Sequence, residues 1–267
     1  MNENVFALVT GGSSGMGLEY VKQLAQKGYN VIIVALFQNE TDQVAQEMQR
    51  QFPKQKFISI GIDLSKTDSA KNIETRLNII DPTIEVEVLI NNAGVLYAKH
   101  FVNMTESQVG NIIMIHNYTL SMLCNIFVPK MVARGKGYIL NISSLAAWLP
   151  YPFISTYAAT KAYTKAFSRA LRTELRGSGV SVSSIYFGAV STNLYKLSPS
   201  LRKLAINLSV MLTSESAAKK ALRLMFRRGS GSVPGFINKF FLCIVPLIPH
   251  CLISKIEKWA SKKWNLK

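Results

Sequence analysis

Tyr157 and Lys161 stand four residues apart, a spacing that on a helix puts two side chains on one face, roughly 5 to 6 Å apart at Cβ. A phenol alone is a poor acid or base near neutrality, its unperturbed pKa being about 10. A fixed ammonium beside it stabilises the phenolate and lowers that value. Ser144 ends an apolar run, Tyr138 to Ile142, that reads as a buried strand. A hydroxyl at a strand end and a phenol at the start of the next helix can converge on one substrate oxygen. The pair alone is also what a surface helix carries without purpose, an exposed aromatic beside a solvated lysine, so its meaning depends on the elements around it.

Val5 to Thr10 reads as a strand, and Thr10-Gly11-Gly12-Ser13-Ser14-Gly15-Met16-Gly17 follows it and opens a helix to about Lys27. Glycines at 11, 15 and 17 permit a tight turn, backbone approach to a pyrophosphate and close packing of helix on strand, with phosphates at the positive helix N-terminus. Asn91-Asn92-Ala93-Gly94 follows the strand Val86 to Ile90, and Asn117 lies midway along a long apolar helix, Thr105 to Ala133. Further strands are predicted at Asn30 to Leu36, Phe57 to Ile62 and Val180 to Phe187, with an edge strand near Ser232-Val233. Strand and helix patterns alternating at this pitch predict an α/β domain with a doubly wound parallel sheet, which binds ligands at its strands' C-terminal ends.

Together these segments resemble the short-chain dehydrogenase/reductase family. Its TGxxxGxG and NNAG motifs and its Asn, Ser, Tyr and Lys residues appear in family order, over residues 5 to about 233. The resemblance implies a Rossmann-type fold and NAD(P)(H)-dependent interconversion of a ketone and a secondary alcohol. By the same resemblance Tyr157 is the acid or base, Ser144 holds the substrate oxygen, and Lys161 lowers the tyrosine's pKa and grips the nicotinamide ribose. Asn117 would deform its helix and hold a water linked to the lysine. The implied cofactor set is Gly11, Ser13, Ser14, Gly15, Met16, Gly17, Asp63, Leu64, Asn91, Ala93 and Gly94, with Tyr157 and Lys161, and with Gly188, Val190 and Thr192 at the nicotinamide. Asp63 and Leu64 would touch the adenine, although Asp63 also reads as a turn residue before a helix. Phe187 stands where the family usually has proline.

The end of the second strand bears on the choice of cofactor. An acidic residue there binds the adenosine ribose 2′-hydroxyl, and an arginine accommodates a 2′-phosphate. Ala35, Leu36, Phe37 and Gln38 do neither. Lack of the acid, with Ser13 as the family's 2′-phosphate donor, favours NADP(H), with NAD(H) the alternative. Relatives dimerise through the helices holding Asn and Tyr, so a homodimer or homotetramer is expected. Alanines at 158, 162, 166 and 170 form a matching stripe, which also suits packing within one chain.

Residues 1–235 read as the catalytic domain, with a substrate lid at 193–213, and 236–267 as an apolar and basic extension. Leu194, Leu197, Leu201, Leu204, Leu208 and Met211 recur in the lid at helical spacing, which suggests a hydrophobic substrate: a 3-oxoacyl or keto-lipid, a steroid or a bile acid. The stretch from Trp148 to Pro152 adds an expected aromatic wall. Cys124, Cys243 and Cys251 have no metal-binding spacing and read as reduced, and no histidine or carboxylate cluster suggests a metal. His116 reads as a packing or surface residue.

Net charge is +16, divided unevenly: residues 1–129 hold 9 Lys/Arg against 12 Asp/Glu, and 130–267 hold 22 against 3. Such a basic half suits nucleic acid, an anionic membrane or phosphorylated ligands, or only solubility. Its bases do not interleave regularly with aromatics, which argues against nucleic acid. A cofactor-sensing regulator on this fold is the other rival, and it would not need Asn117, Ser144, Tyr157 and Lys161 all present. The N-terminus shows no leader pattern, so cytoplasmic exposure is expected. The tail from Ser254 to Lys267 places Ile256, Trp259, Ala260 and Trp264 on one helical side among five lysines, the composition of a helix lying on an anionic membrane at its cytoplasmic face. Folding of Phe240 to Ile253 over the lid or an oligomer interface is the alternative. That stretch is too short and too broken by Pro246 and Pro249 to span a bilayer.

Overall fold

The computed structural model describes residues 4–148, 152–191 and 211–235, with 238, 242, 249, 254 and 255. Most of the lid and of the C-terminal extension, with the expectations placed on them, lies outside the described residues.

Six strands alternate with helices in the predicted order: β1 (Val5–Thr10), α1 (Gly15–Gln26), β2 (Asn30–Ala35), α2 (Gln38–Gln51), β3 (Phe57–Gly61), α3 (Ser69–Ile80), β4 (Glu85–Asn91), α4 (Glu106–Ile113), α5 (Leu120–Ala133), β5 (Gly137–Ser144), α6 (Ser155–Glu174) and β6 (Val180–Phe187). Beyond them come the short strands β7 (Ala189–Ser191) and β8 (Met211–Thr213), then helix α7 (Ser214–Phe226) and edge strand β9 (Gly231–Ser232). The main sheet runs β3-β2-β1-β4-β5-β6-β9, with every described pairing parallel. Strands buried on both faces read as continuous apolar runs, as Val5–Thr10 and Asn30–Ala35 do.

Side-chain alternation along each strand divides the core in two. Ala7, Val9, Val31 and Ile33 point to one side and meet Tyr20, Val21 and Leu24 of α1, Val44 and Met48 of α2, and Ala217, Ala221 and Met225 of α7. Phe6, Leu8, Ile32 and Val34 point to the other and meet Ile73 and Leu77 of α3 and Leu120, Leu123, Phe127 and Met131 of α5. The sheet is therefore doubly wound. Its strand order reverses between β1 and β4, which opens a crevice at their C-terminal ends.

Two features bear on the sequence reading. The long helix is not uniformly α: Met114–Thr119 forms a π-helical segment between α4 and α5. Its continuous helical run, Glu106–Ala133, is long and apolar enough to cross a membrane, yet α5 packs its apolar side into the core. The second lies at the end of the segment expected as the lid: Met211, Leu212 and Thr213 pair in parallel with Ala189, Val190 and Ser191. Thr213 instead caps α7, accepting from the Ser216 backbone N–H at 3.2 Å.

Candidate active site

The glycine-rich turn lies at the crevice, and its backbone leaves no room for a side chain at Gly11 or Gly17. Gly11 has φ +65°, and a Cβ on Gly17 would lie 1.8 Å from the Gly11 carbonyl oxygen. These contacts bring the N-terminus of α1 against the end of β1, with Ser14 at the cap and no acidic residue in the first turn. Unscreened backbone N–H groups at a helix start, facing an open cavity, suit a pyrophosphate. The cavity measures about 320 Å³. Gly11, Ser14, Gly15, Met16 and Gly17 form one wall, and Ala93, Gly94, Ser144, Tyr157, Lys161, Gly188 and Val190 contribute to the others. The chemistry of its walls fits the pyrophosphate and nicotinamide portion of a dinucleotide.

The opposite end is built by β5 and α6. Tyr157, Lys161 and Ser144 are all buried and line the same cavity. The Lys161 ammonium lies 5.5 Å from the Tyr157 ring centroid and donates to the Ile142 carbonyl at 2.9 Å. Burial alone pulls its pKa from 10.5 down to about 8. Ser144 Oγ accepts from the Ala146 backbone N–H at 3.2 Å, which occupies a lone pair and leaves its proton for another partner. Beyond Tyr157 a small buried apolar cluster of Ile112, Ala146 and Ala158, flanked by Val95, Leu96, Tyr97 and Ile154, packs behind the ring. Trp148 takes another course. It packs edge-on against Tyr186 at 4.4 Å and under Lys165 at 4.0 Å, so it is not among the cavity's lining residues.

A buried polar column holds α6 in place. Asn91 Nδ2 donates to Asn141 Oδ1 at 2.8 Å, and Asn141 Nδ2 donates to Ser168 Oγ at 2.9 Å. Ser143 Oγ donates to the Lys161 carbonyl at 2.9 Å. Asn91, expected at the cofactor, therefore serves as a tie between β4 and β5 and does not line the main cavity. Neighbouring Asn92 donates to the Thr10 carbonyl at 2.9 Å and does line it.

Asn117 lies in the π-helical segment, so the helix is deformed where the sequence placed this amide. With its nitrogen turned toward them, it donates to the His116 carbonyl at 3.3 Å and the Thr160 carbonyl at 3.2 Å, joining the long helix to α6. It does not line the main cavity. Such one-turn widenings recur at functional sites because they reorient side chains and free backbone carbonyls.

At the adenosine end the placements diverge. Ser13 is half-buried, and its hydroxyl donates to Glu40 Oε2 at 3.0 Å. Asp63 behaves as the turn residue, accepting from the Ser65 N–H at 2.9 Å and its hydroxyl at 2.7 Å. Leu64 is buried in the core, its carbonyl accepting from Thr119 Oγ1 at 2.8 Å. Neither residue lines the cavity. Phe187, in the place of the family's proline, is a buried wall residue beside Gly188 and Val190. Thr192 lies outside the described residues.

Sequence reasoning undervalued His116. It is buried, and its Nε2 accepts from the Val95 backbone N–H at 3.0 Å, so the ring proton sits on Nδ1 and faces Thr160 Oγ1 at 2.9 Å. Thr160 in turn donates to the Tyr157 carbonyl at 2.8 Å, and the imidazole meets the Tyr157 ring edge-on at 5.6 Å. Burial, then the Lys161 charge, hold its pKa well below the usual histidine value, so the ring is neutral at pH 7. It packs the candidate tyrosine and also lines the main cavity.

The short chain dehydrogenase family profile matches residues 5–201. A very-long-chain 3-oxoacyl-CoA reductase of Macaca fascicularis is 33% identical over 263 residues, spanning 97% of this chain and 77% of the relative. That of Mus musculus is 32% identical over 264 residues, with 96% and 80% covered. Among solved structures, a short-chain dehydrogenase from Sphingobium yanoikuyae in complex with NADPH is similar with a TM-score of 0.76 at 27% identity, over 86% of this chain and 88% of its own. The bulky-bulky ketone specific alcohol dehydrogenase of Comamonas testosteroni gives a TM-score of 0.76 at 27% identity, over 88% of each chain.

Proposed function

Because the chain belongs to the short-chain dehydrogenase family, we propose that it reduces the ketone of a 3-oxoacyl thioester or related keto-lipid to a secondary alcohol with a nicotinamide cofactor. One observation carries the reading: the phenol of Tyr157, the ammonium of Lys161 and the hydroxyl of Ser144 are buried around a cavity whose other wall is a phosphate-ready glycine turn. Similarity to two reductases of very-long-chain 3-oxoacyl-CoA supports the substrate class.

In this reading Gly11, Ser14, Gly15, Met16 and Gly17 hold the pyrophosphate, and Ala93, Gly94, Gly188 and Val190 lie along the nicotinamide half. A bound dihydronicotinamide supplies the hydride that reaches the carbonyl carbon. Ser144 donates a hydrogen bond to the carbonyl oxygen and keeps it facing the phenol. Tyr157 gives its proton to that oxygen as negative charge develops there. Lys161 stabilises the phenolate left behind, and Asn117, through its widened helical turn, supports return of a proton from solvent. The expected preference for NADPH rests on Ser13 and on the lack of an acid at residues 35–38, and the Sphingobium yanoikuyae relative was solved with NADPH.

The test is a turnover screen of long-chain and short-chain 3-oxoacyl-CoA, steroid and bile-acid ketones with each reduced cofactor. Oxidation of NADPH by the long-chain thioesters is expected. Binding of dinucleotide without turnover of any ketone would favour the cofactor-sensing alternative.

Two associations complete the proposal. Ala166 and Ala170 of the α6 stripe are exposed, the arrangement a self-associating helix face needs, so the enzyme is expected to sediment as a dimer or larger. The tail from Ser254 to Lys267, five lysines against Glu257, would hold the cavity mouth near a lipid substrate at the cytoplasmic face. Full-length protein should sediment with anionic vesicles at low salt, and protein lacking residues 254–267 should not. Equal behaviour of the two would remove the membrane role.

A further inference from the structure

The side chains at the end of β2 offer little to an adenosine ribose. Leu36 and Phe37 are apolar and exposed. Gln38 is committed within its own layer: its amide nitrogen donates to Asp42 Oδ1 at 2.8 Å, and its oxygen accepts from the Gly61 N–H at 2.6 Å. The first turn of α2 then brings Glu40 back beside the glycine-rich turn, where it takes the proton of Ser13 Oγ at 3.0 Å. The acid absent from residues 35–38 is thus supplied from the following helix, 23 residues past Gly17. That is close to the spacing of about 20 residues at which dinucleotide-binding folds place a ribose-binding carboxylate.

Resting on the dinucleotide reading above, we infer that Glu40 is a selectivity residue for the cofactor's ribose 2′ position, accepting from a 2′-hydroxyl and opposing a 2′-phosphate. A 2′-hydroxyl can donate to the Glu40 carboxylate while Ser13 stays where it is. A 2′-phosphate needs Ser13 as a donor, and Ser13 already donates to Glu40. The phosphate also meets a like charge at short range, and the carboxylate has already answered the positive end of α2. Glu40 therefore narrows the preference for NADPH and leaves NADH a usable partner.

The experiment measures binding of 2′,5′-ADP, 5′-ADP, NADPH and NADH to the full-length protein by calorimetry, without any ketone. Glu40→Gln should tighten 2′,5′-ADP and NADPH by about tenfold, the scale of a hydrogen bond to a charged group, while NADH weakens or stays level. Glu47→Gln removes an equal charge from an exposed position about two turns further along α2, and it should leave the ratio of affinities within about twofold. Adding Ser13→Ala to Glu40→Gln should erase the gain for 2′,5′-ADP. An unchanged ratio in Glu40→Gln, or an equal change in Glu47→Gln, overturns the inference and leaves the dinucleotide reading standing. Failure of the wild-type protein to bind either dinucleotide removes both.

Discussion

The two ends of the crevice are built by opposite means. At the tyrosine end, Tyr157 is 8% exposed and Lys161 6%, and the helix carrying them is tied by Asn141 and Ser143 to β5 and by Asn117 to the long helix. At the adenosine end Leu36 and Phe37 are 53% and 55% exposed, and the polar contact is a surface hydrogen bond between Ser13 and Glu40. Proton chemistry needs a fixed phenol and a charge kept out of water, where that charge acts at full strength. Choice between a hydroxyl and a phosphate needs only one adjustable surface group. Substitutions at the first end should therefore cost activity or stability, and substitutions at the second should redirect the cofactor.

Lys161→Met should separate these costs most sharply. Its ammonium is destabilised by burial, with a folded pKa of about 8 against an ordinary 10.5. Between those values the unfolded chain binds more protons than the folded one, so stability rises with pH across that window, and the penalty is full below it. Removing the amine should raise stability at pH 7 by on the order of 2 kcal/mol, and its melting temperature should no longer rise from pH 8 toward 10.5. Turnover should fall by about 10² to 10⁴-fold, the range of a lost acid-base contribution. In the wild type, reduction should slow as pH rises through about 8, because the neutral amine no longer supports the phenolate. A Lys161→Met protein that is less stable at pH 7 would show that the hydrogen bond to Ile142 outweighs the burial of charge.

A smaller effect is expected one layer deeper. Asn141→Ala leaves the Asn91 amide without its carbonyl partner and removes the donor to Ser168, at a cost of about 1 to 3 kcal/mol. Thermal melting should register that as a fall of several degrees, with turnover reduced by less than tenfold. If turnover fell as far as in Lys161→Met, the column would belong to the chemistry and not to its support.

Much of this organisation was legible in the chain. Strands β1 and β2 announce themselves because they are buried on both faces and therefore written as apolar runs, and the glycine turn because only glycine fits where Gly17 meets Gly11. Other parts depend on partners far off in sequence. His116 gives no local sign of its place, because Val95 and Thr160 come to it from 21 and 44 residues away. Glu40 is hidden for a related reason: a ribose-binding acid is expected at the strand end, and only one further helical turn returns this carboxylate to Ser13. The β7 and β8 pair is hidden too, since two three-residue strands carry no readable alternation, and Met211 suits a leucine stripe equally well.

The most direct test of the proton-donor assignment is Tyr157→Phe, assayed with NADPH and a long-chain 3-oxoacyl-CoA, with NADPH affinity measured on the same sample. The ring remains to pack on His116 and only the hydroxyl goes, so cofactor affinity should stay within about twofold while turnover falls by about 10² to 10⁴-fold. A Tyr157→Phe protein that kept a tenth or more of wild-type turnover would contradict the assignment of Tyr157 as the proton donor.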